Sequence, residues 1–416
     1  MKSPDRTTCR TSMQKLASWT RAVKAPAMTG CRFMSDKVAS WRRSVGGPAR
    51  TSRDFMLSTL ATWRESLGLS GRSRHEPIGV DVGVRQIKAV QFAQSPGCRQ
   101  IRAAAVVPRD TSDPIPHPEE VRRLRSLLAE RAFEGTSIVL AVPPDKLLTG
   151  IMELPPQDSG APIELLARGE LARMHACQPQ SVEMASWHLP APARAANTTF
   201  VMGVGCRHAD ANALLDLFEA EGFEVRRLET QARAVARACQ PLLADAHGTA
   251  GILDIGWRSA RLVLLFQGVV VYERNLAKSG LSALVAPLAH QLKLSVEDAE
   301  EALSGRPASG KRSASRRGGA EAIDAAIAGH LKAMVQEMRI PLSYLANQYP
   351  DAAMERLLLV GGGAGLEGLR EHLASSLETD VRVVLPSDMA QCPQSFDKEY
   401  GPTLATAVGL WQLDGR

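Results

Sequence analysis

Two stretches of the chain set a carboxylate two residues before a glycine at the end of an apolar strand. They are Asp81-Val-Gly83 in IGVDVGVRQIKAVQF and Asp254-Ile-Gly256 in GILDIGWRSARLVLL. A hairpin of this shape can hold a metal ion on its aspartate and let its backbone approach a phosphate over the glycine. In the second hairpin Trp257 and Arg258 follow at once, where a phosphate loop favours small or hydroxyl side chains. A third stretch, RLLLVGGGAGLEGLREHL, passes from an apolar strand through Gly361, Gly362 and Gly363 into an amphipathic helix. Glycines there let backbone N–H groups and a helix N-terminus come close to an anion.

The elements that must carry these residues occur twice. Residues 78–108 read as strand, Asp-x-Gly turn, strand, Ser-Pro-Gly turn, strand, and residues 251–276 repeat the pattern with a Gln-Gly turn. Each run is followed by a helical segment, HPEEVRRLRSLLAERAF and GLSALVAPLAHQLK. Two such runs 173 residues apart imply two related α/β domains, each opening on an Asp-Gly hairpin. Gly363, Gly365 and Gly368 also satisfy G-x-G-x-x-G, with Asp388 twenty residues beyond, the outline of a dinucleotide site. That reading fails on context: only 28 residues follow Asp388, and the paired hairpins go unexplained. GRPASGKRS (305–313) imitates a P-loop but has Arg312 in the Ser/Thr position and no strand before it, so it reads as a basic loop.

Charge divides the chain. The net charge is +6, yet residues 1–75 hold 15 Lys or Arg against four acids, leaving 35 basic and 40 acidic residues in the rest. A basic arm precedes a mildly acidic body, so the overall charge says nothing of the body's partners, and nucleic acid, without further support, is not expected. Within the arm KLASWTRAV, KVASWRRSV and TLATWRESL recur every 22 residues with Trp19, Trp41 and Trp63 in register. Aliphatic, Trp and aliphatic at i, i+3 and i+7 define one face of a short basic helix, suited to an anionic membrane surface or an acidic partner. A solvated tail is the plainer alternative. Seven scattered cysteines without a C-x-x-C pair point to a reducing cytosol, with neither a disulfide framework nor a zinc site. No apolar run reaches the roughly 18–20 residues of a membrane span.

Two Asp-Gly hairpins followed by a late GGGAGLEGL resemble the actin-like ATPase superfamily in motif order. Within it the chain is most similar to the PilM family of type IV pilus assembly, through several stretches spread over 77–414. They include AVPPDKLLTGIMELP, EVRRLETQARAVARA, the LSVEDAEEAL segment and the closing YGPTLATAVGLWQL. The resemblance implies duplicated actin-like (ribonuclease H-like) α/β halves with an inserted small subdomain, behind a basic N-terminal extension. The expected boundaries are 1–75 for the extension, 76–136 and 203–245 for the first half, 137–202 for the insert, and 246–416 for the second half.

By the same resemblance ATP and Mg²⁺ lie between the halves, with Asp81 and Asp254 around the metal, mostly through water. Gly83 and Gly256 would approach the phosphates, Lys88 would neutralise them, and Gly361, Gly362 and Gly363 would pass the adenosine. Glu229, in ETQARA, would orient an attacking water as the catalytic residue. This chain departs from the family at Val84, Arg85 and Gln86, where hydroxyls are common, and at Trp257, which could close the pocket. Arg258 could pair with phosphate oxygens instead. The implied function is a cytoplasmic scaffold, peripheral at the inner membrane, that binds the short N-terminal peptide of a PilN-like membrane protein, with ATP gating its closure. An active ATPase or sugar-kinase-like phosphotransferase is the alternative.

Overall fold

The computed structural model describes residues 75–413, apart from 94–98, 194–196, 246–247, 304–315 and 351–352. The repeated arm through residue 74 and the basic loop 305–313 lie outside the described residues. Among those described, no helix is long and apolar enough to cross a membrane.

Two five-stranded sheets repeat one topology. The first contains β1 (Ile78–Val82), β2 (Gln86–Phe92), β3 (Ile101–Pro108), β4 (Ser137–Ala141) and β8 (Glu224–Glu229), in the order β3-β2-β1-β4-β8. The second contains β9 (Thr249–Ile255), β10 (Ala260–Phe266), β11 (Val269–Leu276), β12 (Met354–Val360) and β13 (Asp380–Val383), in the order β11-β10-β9-β12-β13. In each, an antiparallel three-strand meander continues into two parallel strands. The central strands are Val-, Ile- and Leu-rich and buried on both faces, as a sheet covered by helices on both sides requires. The duplication expected from the two hairpins is therefore a duplication of the whole sheet.

Helices α1 (Pro118–Glu130) and α3 (His208–Ala220) cover the outer face of the first sheet, through Val121, Leu124, Leu128, Leu214 and Phe218. Between α1 and α3 in sequence comes α2 (Ile163–Met174). It packs on a separate antiparallel sheet in the order β5-β7-β6, made of β5 (Leu147–Leu154), β6 (Val182–His188) and β7 (Thr199–Arg207). This small subdomain runs from about 147 to 207, displaced from the expected 137–202. The segment Ser137–Ala141 was expected inside it, but that strand lies parallel to β1 in the main sheet.

A last layer lies between the two sheets. It consists of α4 (Gln231–Ala238) and the C-terminal helix, which follows α5 (Ser282–Leu292), α6 (Val296–Leu303), α7 (Arg316–Gln348) and α8 (Leu369–Leu377) and is labelled α9 (Ala405–Trp411). Helices α7 and α8 cover the far face of the second sheet through Leu331, Met334, Met338, Leu369 and Leu373. Helices α4 and α9 instead share one core with side chains of both sheets, among them Val90, Phe92, Ile252, Val263 and Leu358. Phe92 stacks on Trp411 with ring centroids 3.7 Å apart. The two helices meet so closely that a Cβ at Gly409 would lie 1.8 Å from the carbonyl oxygen of Ala234. Gly409→Ala should therefore cost about 1–3 kcal/mol of unfolding free energy by overpacking. Gly365→Ala, on a turn with no heavy atom within 4 Å of the new Cβ, should cost little. Chemical denaturation of the two variants checks this pair.

Candidate functional site

The site begins at two equivalent strand ends. Asp81 is the penultimate residue of β1, opposite Lys88 on β2, and Asp254 the penultimate residue of β9, opposite Arg261 on β10. Each aspartate thus faces a cation seven positions further along, a repeated spacing that only Lys88 had suggested in the sequence. Directly opposed unlike charges stabilise a strand pair.

The two aspartates differ in how fully they are satisfied. Asp81 is 3% exposed; Lys88 Nζ donates to its Oδ2 at 2.9 Å and Gln231 Nε2 to its Oδ1 at 2.8 Å. Burial pulls the Lys88 pKa down, but the carboxylates of Asp81 and Asp254 and the hydrogen bond outweigh it, leaving the pKa raised above its ordinary value. The carboxylate of Asp254, by contrast, accepts no hydrogen bond from any described residue, although its backbone is paired in the sheet. Burial lifts its carboxyl above the ordinary value, Lys88 and Arg261 offset this only in part, and Asp81 adds to the rise. An under-satisfied carboxylate at a strand end is a ready ligand for a cation. Among the described residues no group of three or more His, Cys, Asp or Glu gathers, so such a cation would keep most of its ligands as water, as Mg²⁺ does.

The glycine turn after β12 closes over this carboxylate. Gly361 has φ +85°, and a Cβ there would lie 2.3 Å from Asp254 Oδ1. Its N–H donates to Pro402 O at 2.8 Å, and that of Gly363 donates to Ile255 O at 2.9 Å. Two of the three glycines expected beside adenosine thus commit their donors within the chain, and Gly362 is the exposed member.

Both hairpins are also internally bound. Gly83 N–H donates to Gln86 O at 2.9 Å, and Gly256 N–H to Ser259 O at 3.1 Å. The carbonyls of Gly256 and Trp257 accept from Leu281 and Ser282 N–H at the entry to α5, at 3.0 and 2.8 Å. Those are donors a helix N-terminus would otherwise turn toward an anion. The first hairpin rests on a buried ion pair the sequence did not disclose, Arg109 Nε to Glu120 Oε2 at 3.1 Å. Arg109 also donates through Nη1 to Gly83 O at 2.8 Å and through its backbone N–H to Arg85 O at 2.8 Å. Burial alone would raise the Glu120 pKa; backbone donors of Thr111 and His117, together with Arg109, hold it below its usual value.

The residues that depart from the family pattern reach across the cleft. Arg85, on the first hairpin, stacks 4.3 Å above the Trp257 ring and pairs with Glu300 on α6. Arg258, on the second, donates to Asp145 Oδ2 at 3.2 Å and to Ser112 O at 2.6 Å in the first half. Arg258, a candidate phosphate partner in the sequence, is thus committed to these two groups of the first half. Glu229 needs a correction as well. It was expected to orient a water, but its side chain is fully buried, accepting from Thr230 N–H at 2.8 Å and pairing with Arg237 at 3.4 Å. It braces α4, since Arg237 Nε also holds Gly409 O at 2.9 Å.

Duplicated sheets of this topology, facing Asp-Gly hairpins and two helices between the sheets define a protein of the actin-like fold. A family model for type IV pilus assembly protein PilM matches residues 79–411, and the chain belongs to that family. As a member it is an actin-like component of the pilus assembly machine. A solved PilM-PilN type IV pilus biogenesis complex is 22% identical, over 82% of this chain and 99% of that one, with TM-score 0.67. The ethanolamine utilization protein EutJ of Carboxydothermus hydrogenoformans is 16% identical over 84% of this chain and 98% of that one, at TM-score 0.47. MreB 5 of Spiroplasma citri bound to AMPPNP is 12% identical over 82% and 97%, also at 0.47. No curated protein matches the chain.

The electrostatics yield two pH predictions. A carboxyl with a raised folded pKa loses stability as pH climbs from its ordinary value, 3.8 for Asp254, through the folded value. Asp254→Asn should therefore raise the melting temperature at pH 7 while removing any cation affinity. Glu120 has a lowered folded pKa, so its contribution is full above its ordinary 4.5 and disappears as pH falls through the folded value. Glu120→Gln should cost about 1.5–3 kcal/mol at pH 7 and flatten the acid limb of the stability profile, read by denaturant titration at several pH values.

Proposed function

We propose that the chain serves the pilus machine as a scaffold whose small subdomain holds a short cytoplasmic peptide of an inner-membrane protein like PilN. One observation carries this reading. Helix α2 leaves Leu165 at 65%, Leu166 at 38% and Met174 at 46% exposure, on the subdomain that projects from the first half. Met174 lies against β5, where a Cβ at Gly150 would meet its Cε at 2.7 Å. Leu166 and Met174 lie within about 80° of each other around the helix, with Leu165 on the opposite side from Met174, and an exposed apolar pair beside a strand is the kind of surface a short peptide covers. The partner named for the solved PilM complex supports the choice of a PilN-like peptide. The basic extension would hold the scaffold against an anionic inner-membrane surface from the cytoplasmic side.

In this reading MgATP is a ligand of the cleft rather than a substrate. Asp254 and Asp81 would hold the metal through water, with Lys88 as counter-charge and Gly83, Gly256, Gly361, Gly362 and Gly363 close to the nucleotide. The carboxylate corner fits a hydrated cation. The mouth does not fit a triphosphate as it stands, because Arg85, Trp257, Arg258 and Glu300 span it. The alternative, an ATPase or phosphotransferase, gains no support from Glu229, expected to orient a water, because Arg237 holds it inside the protein.

Titration of a fluorescent N-terminal peptide of the PilN-like partner into the protein tests the scaffold. Leu166→Asp should weaken binding at least about tenfold, as loss of an apolar anchor does, with an unchanged melting temperature. Equal affinity for wild type and Leu166→Asp would remove the strand side of α2 from the peptide site.

A further inference from the structure

Two arginines, one from each hairpin, bridge the cleft in opposite directions. Arg85 leaves the first half and lands on Trp257 and Glu300 of the second. Arg258 leaves the second half and lands on Asp145 and the Ser112 carbonyl of the first. We propose that this reciprocal pair is a latch that holds the cleft closed without nucleotide, by tying each Asp-Gly hairpin to the opposite half. The proposal goes beyond the peptide-binding reading and does not depend on it.

The seats of the latch are stiff, which an incidental surface contact would not require. Trp257 is packed against the cluster of Val285, Ala289 and Ala299 under α5 and α6, and its carbonyl is held by Ser282 N–H. Glu300 follows Ala299 of that cluster directly, so stack and carboxylate converge on one guanidinium. On the opposite side the backbone of Arg85 is pinned by Arg109, and Arg109 by buried Glu120. A planar guanidinium suits this use, because it can stack on an indole face while its edge meets a carboxylate.

The partners are partly exposed: Arg258 and Asp145 side chains are 47% and 51% accessible, and those of Arg85 and Glu300 are 41% and 32%. Each ion pair alone shifts an equilibrium only a few-fold and is screened by salt. Together with the stack, they should shift the closed-to-open ratio by roughly five- to a hundred-fold. That suffices to set a default state, and is small enough for a partner or ligand to override.

Distance measurement between spin labels at exposed Glu130 on α1 and Glu297 on α6 tests the latch. It uses the full chain, with every cysteine except buried Cys206 and Cys239 replaced by serine. Nucleotide-free wild type should give one narrow distance. Arg85→Ala with Arg258→Ala should broaden it toward longer values, and 1 M salt should do so in part. Arg258→Asp should open the cleft, and adding Asp145→Arg should close it again. A broad distribution in nucleotide-free wild type, or a double-alanine variant indistinguishable from wild type, would overturn the proposal.

Discussion

The crossing of α4 on α9 is the constraint on which the rest of the molecule depends. The two helices are the layer shared by both sheets, and Gly409 admits the Ala234 carbonyl at a distance no side chain would allow. The same helices reach the site directly. Gln231, the first residue of α4, holds Asp81, while Arg237 near its end ties Glu229 to the Gly409 carbonyl. Any change in the angle between the halves must work through this joint, so the position of the hairpins is set by apolar packing some distance from them.

Much of the fold was legible because its signals are local. Strand, Asp-x-Gly turn and strand are short-range patterns, and their repetition after 173 residues betrayed the duplication. The glycine turn after β12 was equally plain, since an apolar run, three glycines and an amphipathic helix follow one another without a break. The boundary at Ser137 was misplaced because a buried strand gives no sign of which sheet it joins; only its pairing with β1 decides that.

The chemistry of the site was less legible, for the same physical reason. Glu229 looks like a cleft carboxylate in sequence, and only the fold brings Arg237 and a closed interior around it. Arg258 and Asp145 are 113 positions apart, and Arg85 and Glu300 are 215 apart. Nothing local links such pairs. The sequence did mark Trp257 and Arg258 as out of character for a phosphate loop, and that misfit located the cross-cleft contacts without disclosing their partners. The repeated seven-residue spacing from Asp81 to Lys88 and from Asp254 to Arg261 was a signal that could have been read.

What remains at the cleft is a carboxylate suited to a cation beneath a mouth occupied by the protein's own cations and an indole. Competition between those side chains and phosphate is the central claim, and calorimetric titration of MgATP tests it most directly. Wild type and the Arg85→Ala/Arg258→Ala protein would be compared at the same ionic strength. If the arginines obstruct the mouth, wild type binds weakly and the double variant binds more tightly, with Asp254→Asn abolishing the gain. Tight binding to wild type that weakens in the double variant would mean that the arginines grip phosphate, and would contradict a cleft closed by the protein itself.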